Sequence, residues 1–290
     1  MTQSRKIAGA PISWGVCEVP GWGHQLDRDR VLAEMAGLGL TATELGPPGY
    51  LPPSPSRRAK LLGEYGLRAV GGFTPLLLHD KDHDPLPEAR ATLNGFRDGD
   101  VEVMVVAAAT GADGYDMRPE LDASGWKTMF ANLRAVTRAA GESGRLVVLH
   151  PHVGTMIENA EDVDRLLDGS DIPLCLDTGH LLVGGTDPAA LATRAAGRVA
   201  HVHLKDVDAE VADLVRRGNL SYGEAVRAKL YRPLGRGDVD VAAIVAALSV
   251  AGYDGWYVLE QDVVLDGEPE PGTGPVDDVR ASLAYLGTLP

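Results

Sequence analysis

The chain has 290 residues, 44% of them hydrophobic, which is enough to bury a sizeable core in one large domain or two modest ones. A formal net charge of −14 excludes nucleic acid as a main partner, because a phosphate backbone needs a basic surface. Two cysteines in no paired motif, an N-terminus without an apolar leader and no apolar run of ~18 residues argue for a reducing cytoplasm and against a membrane role.

The apolar run Lys6–Ile12 predicts a first strand, closed by Ser13-Trp14-Gly15 and a loop carrying Glu18 and Trp22. Val31, Leu32, Met35 and Leu38 place a helix stripe on Asp27–Leu38. Thr41–Leu45 reads as the second strand, ending near Glu44, and a Gly/Pro-rich loop runs on to Pro55. A helix over Ser56–Tyr65 and a third strand over Leu67–Phe73 follow, then a loop, Thr74–Pro85, holding His79 and His83. Pro87–Arg97 is the third helix and Val101–Ala108 the fourth strand. Ser124 is placed to cap a fourth helix that runs towards Ala140. Arg145–Leu149 gives the fifth strand, which ends in His150-Pro151-His152, with a helix over Asn159–Leu167 behind it.

The sixth and seventh strands, Ile172–Leu176 and Arg198–Leu204, flank a helix expected from Asp187-Pro188. A polar stretch, 208–230, is expected to form a helical insertion, and Tyr231–Asp238 follows it. Val239–Ala251 is an apolar helix, Trp256–Leu259 the eighth strand and Pro275–Leu286 the last helix. Eight strand–helix alternations without a separating linker predict one (β/α)8 TIM barrel spanning residues 1–290. A doubly wound sheet lacks its Gly-rich turn after the first strand.

In such a barrel the strand C-termini converge on one face. That brings together Glu44, His79, His150, His152, Asp177, His180, His203, Lys205 and Glu260. Any one histidine at a strand end is more often structural, and His24 and His83 read as surface residues; the coincidence of so many is the signal. Asp177, His203 and Glu260 offer two carboxylates and an imidazole, completed by His150 or His152. This set suits a divalent cation of the manganese, cobalt, zinc or magnesium kind. His201 and His203 are assigned to opposite sides of their strand, with His203 as the ligand and His201 packed under a helix. Cys175 reads as a core residue, not a ligand.

The runs LCLDTGH, VAHVHLKDV and YVLEQD resemble the sixth-, seventh- and eighth-strand signatures of the xylose-isomerase-like barrels. The family's usual metal set is Glu, Asp, His, Glu from strands five to eight. Asp177, His203 and Glu260 match the last three, whereas His150 stands where the strand-five Glu would be. HPHVGT, together with PISWG, TELGPPGYLP and LGRGDVD, is similar to the inosose dehydratase branch, and the likeness covers nearly the whole chain.

The resemblance implies metal-dependent dehydration of a cyclic polyol ketone, 2-keto-myo-inositol, to a trihydroxycyclohexane-dione through an enediolate. Glu260, His180, Lys205 and His152 are the proton-transfer candidates, and Trp14, Glu44 and His79 the candidates for substrate binding. A lysine beside a metal and other cations could have a lowered pKa and act as a base. A keto-sugar 3-epimerase or isomerase is the alternative chemistry, weakened by His150 in place of the strand-five Glu. A non-catalytic sugar-binding barrel is the alternative of another class, and the acidity opposes endonuclease-like DNA repair. The partner expected is a small molecule, and the sequence is compatible with a homo-oligomer.

Overall fold

The computed structural model describes residues 5–99, 101–112 and 114–290, so the first four residues of the N-terminal stretch lie outside it. Eight parallel strands close into a barrel: β1 (Lys6–Gly9), β2 (Ala42–Glu44), β3 (Arg68–Leu76), β4 (Val103–Ala108), β5 (Leu146–Leu149), β6 (Leu174–Asp177), β7 (Val199–Leu204) and β10 (Trp256–Leu259). Two further strands, β8 (Asp206–Val207) and β9 (Tyr231–Arg232), pair antiparallel as a short ribbon outside the barrel. The expected eight-stranded barrel is therefore present. Its strands are buried on both faces, which is why β4 reads VMVVAA without polar alternation.

Helices α1 (Arg28–Gly37), α2 (Pro55–Glu64), α3 (Leu86–Asp98), α4 (Ala123–Glu142) and α5 (Ala160–Gly169) follow the first five strands. After β6 come α6 (Thr178–Val183) and α7 (Pro188–Arg194). Helices α8 (Ala209–Arg216) and α9 (Tyr222–Arg227) lie between the ribbon strands, while α10 (Val241–Val250) and α11 (Pro275–Thr288) flank β10. Several starts are fixed by side-chain caps that satisfy free backbone N–H groups. Asn159 and Asp162 form a reciprocal box on α5, and Asp187 caps α7. On α4 the cap is Asp122, which accepts from Gly125 N at 2.8 Å; the expected Ser124 lies inside the helix.

Other boundaries moved for physical reasons. β1 stops at Gly9, because Pro11 has no N–H for the ladder and Pro11–Trp14 winds into a 3-10 turn. β3 runs on through Thr74-Pro75-Leu76, paired with β4. The register between β2 and β3 shifts at Glu44, opposite Gly71. A Cβ at Gly71 would come within 2.6 Å of Glu44 Oε1, so this glycine makes room for a carboxylate inside the barrel.

Candidate active site

The site grows from the ends of β6, β7 and β10, where consecutive βα units aim polar side chains inward. Asp177, the last residue of β6, is fully buried and caps α6: its Oδ1 accepts from Gly179 N (2.9 Å) and His180 N (2.8 Å). The sequence reading had the helix after β6 begin only at Asp187. The turn at 178–183 is helical because Asp177 satisfies its first N–H groups. The other oxygen, Oδ2, accepts from Lys205 Nζ at 2.8 Å and lies 3.1 Å from His150 Nε2.

On β7, His201, His203 and Lys205 alternate with Val202 and Leu204. Residues two apart on a strand share a face. The assignment of His201 and His203 to opposite sides is therefore wrong: both Nε2 atoms reach Glu44 Oε1, at 2.8 and 3.1 Å. Glu44 thus lies deep in the barrel as the common partner of two imidazoles, although it also lines the cavity above. The opposite nitrogen of the His203 ring, Nδ1, is 3.2 Å from Glu260 Oε2 and 3.5 Å from Asp177 Oδ2. Lys205 Nζ also contacts Glu260 Oε2 at 2.5 Å and lies 3.5 Å from Asp262 Oδ1. The lysine stem passes Gly179, where a Cβ would come within 2.5 Å of Lys205 Cβ.

Charge follows from these contacts. Burial alone would raise the carboxyl of Asp177, yet the Lys205 ammonium and nearby imidazoles hold it well below the usual range. Glu260 is likewise held at about 2 by His203 and Lys205 against the cost of burial. Burial pulls Lys205 down, but Asp177, Asp262 and Glu260 outweigh it and push it well above an ordinary lysine. The three carboxylates thus favour the ammonium form of Lys205, whereas a lowered pKa was expected only beside a metal and other cations. Burial dominates at His180 and His152, both fully buried, and their imidazoles stay neutral, His152 falling to about 3.

A divalent cation fits this donor set. Asp177, His203 and Glu260 bring ligand atoms within 4.8 Å of one another, as do His150, Asp177 and His180. The buried Nδ1 of His150 has no hydrogen-bond partner. A borderline N/O set with an unsatisfied nitrogen suits a cation of the manganese-to-zinc group. Cys175 is buried as expected, but its sulfur falls within the same reach of His150 and His203.

Above this layer opens a cavity of about 230 Å³. The rings of His152 and His180 stack at 3.6 Å, and Phe73, Tyr115 and Tyr222 surround them. His150, His152, His180, His203, Lys205, Glu44 and Glu260 all line this space. Trp14 and His79 do not. Trp14 is buried beside α1, its Nε1 donating to Glu34 Oε2 at 2.8 Å, and His79 sits half-buried in the loop after β3. Sequence reasoning missed Asp262, Tyr115, Tyr222 and Tyr231. Only Asp262 carried a signal, standing two residues beyond Glu260 at the same strand end. Tyr222 comes from the stretch read simply as a polar insertion.

The buried imidazoles predict a loss of stability in acid. Unfolded, His150, His152 and His180 protonate near the ordinary 6.5; folded, all three resist until lower pH, His152 until about 3. Between those limits the unfolded chain binds more protons, so each histidine removes about 1.4 kcal/mol per pH unit as pH falls below 6.5. His203, pushed down by burial yet held well above 6.5 by Glu260 and Glu44, changes stability only above 6.5, where the folded form alone is protonated, so it does not offset the loss below 6.5. Urea unfolding is expected to show a clear loss of stability from about pH 7 to about pH 5, with a shallower slope for His152→Gln. Equal stability at both pH values would contradict neutral burial.

Among the described residues, no helix is long and apolar enough to cross a membrane. The xylose isomerase-like TIM barrel family matches residues 32–286. An inosose dehydratase of Geobacillus kaustophilus (strain HTA426) is 36% identical over 270 residues, covering 89% of this chain and 87% of its own. The rhizopine catabolism protein MocC of Rhizobium meliloti is 35% identical over 269 residues, covering 89% and 82%. A solved L-ribulose 3-epimerase superposes with a TM-score of 0.69 at 19% identity, over 98% of this chain and 94% of that one. The chain belongs to the xylose isomerase-like TIM barrel family and groups within it with the inosose dehydratases.

Proposed function

We propose that the protein is a hydro-lyase that removes water from a cyclic polyhydroxy ketone, 2-keto-myo-inositol, to give a trihydroxycyclohexane-dione. The observation that carries this reading is the meeting of Asp177, His203, Glu260 and Lys205 beneath a cavity walled by neutral imidazoles and aromatic rings. The inosose dehydratases to which the chain is similar make the cyclic ketone the first substrate to try.

The reaction needs a base for the C–H beside the ketone, a charge partner for the enediolate and an acid for the departing β-hydroxyl. His152 and His180 line the cavity uncharged and are the imidazoles placed to take the α-proton; burial lowers their basicity, so the imidazolium formed is a strong acid for the next step. As that C–H bond breaks, its electrons form the enediolate, whose negative charge faces the Lys205 ammonium. Collapse of the enediolate expels the β-hydroxyl, which leaves as water on receiving a proton from Lys205 or from the imidazolium just formed; the enol left behind loses its O–H proton and gains one at carbon to become the dione. Glu260 and Asp177 hold Lys205 in place. A divalent cation, manganese or cobalt first and zinc or magnesium next, would be held by His150, Asp177, His203 and Glu260 and would supply Lewis acidity towards the ketone.

The test is a proton NMR time course in D2O with 2-keto-myo-inositol and cation-loaded protein, against a chelated control. Cation-dependent growth of the dione is the expected result. Deuterium entering the α-carbon, or an epimer forming without loss of water, would instead favour a keto-sugar epimerase. Binding without any turnover would favour a non-catalytic barrel.

A further inference from the structure

The segment between β8 and β9 closes one wall of the cavity, and it does so by way of a carboxylate. Ser221 and Glu224 box the start of α9, and Tyr222 N donates to Asp116 Oδ1 at 2.8 Å across the rim. Arg227 donates to the carbonyls of Gly21 and Trp22, tying the same helix to the loop after β1. So anchored, Tyr222 reaches inward and its hydroxyl donates to Asp262 Oδ2 at 2.6 Å. Tyr231 OH lies 3.0 Å from Tyr222 OH. The other oxygen, Asp262 Oδ1, is buried with no hydrogen-bond partner and only a long ion pair to Lys205 Nζ at 3.5 Å, and Asp262 is one of the residues lining the cavity.

A buried carboxylate oxygen whose one partner is an ammonium 3.5 Å away keeps lone pairs that a ligand can satisfy. The group it can take is a donor, and a polyol ring is rich in O–H donors. Anionic ligands are opposed by the same wall: Glu18, Glu44, Glu260 and Asp262 line the cavity, against Lys205 as the one lysine or arginine among the described lining residues. We propose that Asp262 Oδ1 is a subsite for a ring hydroxyl, held in place by Tyr222, and that it restricts the enzyme to uncharged polyhydroxy ketones rather than phosphorylated or carboxylated ones. This rests on the dehydratase reading and names the part of the site that recognises the ring. Asp262 touches substrate, whereas Tyr222 is a positioning residue.

The experiment compares wild type, Asp262→Asn and Tyr222→Phe on 2-keto-myo-inositol and its monodeoxy analogues, with calorimetric titration of unreactive myo-inositol alongside. Asp262→Asn is expected to raise KM about 10-fold or more, the worth of a hydrogen bond to a charged group, with kcat changed far less. Tyr222→Phe should raise KM by a smaller factor, and myo-inositol binding should weaken in parallel. One monodeoxy analogue should be handled equally by wild type and Asp262→Asn, since both then lack the same contact. An unchanged KM in Asp262→Asn, or the same penalty for every deoxy analogue in both proteins, overturns the subsite. Wild type that binds myo-inositol through Asp262 yet dehydrates nothing would sink the dehydratase reading and leave the subsite standing. Wild type that neither binds nor turns over any of these compounds removes both.

Discussion

Asp177→Asn is expected to lower turnover by at least about 10²-fold, the order seen when one group that stabilises developing charge is removed, and to weaken divalent-cation binding with it. The carboxylate does two jobs at once. One oxygen caps α6 through Gly179 N and His180 N, and the other takes the Lys205 ammonium and faces His150. An asparagine has a single acceptor oxygen. If that oxygen keeps the cap, the amide NH2 points at an ammonium; if it keeps Lys205, the first turn of α6 loses its acceptor. His180 follows Asp177 by three residues, so either outcome disturbs a proton-transfer candidate as well as the ligand set. Steady-state kinetics, cation content by elemental analysis and thermal melting separate these effects. Asp187→Asn is the control: Asp187 caps α7 in the same manner but is exposed and does not line the cavity, so activity should stay unchanged. Full activity of Asp177→Asn would remove this residue from the site.

The barrel was legible because its signals are local. Apolar runs of strand length, helix stripes and capping residues recur in order, and strand C-termini of a barrel share one face whatever the loops do. That topology alone brings Asp177, His203 and Glu260 together. Side-chain direction was harder to read. The two-residue spacing of His201 and His203 places both inside, beside Glu44, and this follows from strand geometry once applied with care. Trp14 followed the first strand closely enough to suggest the rim, but the 3-10 turn at Pro11–Trp14 carries it beneath α1 to Glu34. The charge state of Lys205 depends on carboxylates 28, 55 and 57 residues away, and no local pattern reports that. Tyr222 escaped for the same reason: its role comes from where α9 docks, not from the residues around it.

Asp206→Ala is expected to cost about 3–5 kcal/mol of stability, the upper range for losing a buried hydrogen-bond network, and so roughly 10 °C in Tm for a chain of this size. Asp206 adjoins Lys205 and resembles a site residue in sequence, yet its carboxylate is fully occupied by backbone. Oδ2 accepts from Gly235 N, Arg236 N and Gly237 N at 2.8 to 3.1 Å, while Oδ1 accepts from Val207 N (2.9 Å) and Val239 N (3.0 Å). Gly237 packs so closely on this carboxylate that any side chain there would displace it, which explains the second glycine of LGRGD. Alanine would strand five N–H groups at the base of the segment that delivers Tyr222, so the KM for 2-keto-myo-inositol should also rise. Asp206→Asn keeps one acceptor and should fall between alanine and wild type. If the alanine variant melts within about 2 °C of wild type, under 1 kcal/mol for a chain this long, the carboxylate is not what anchors the turn. Lys205 and Asp206 thus divide the work at the end of β7: the first faces the cavity and the second holds the wall that encloses it.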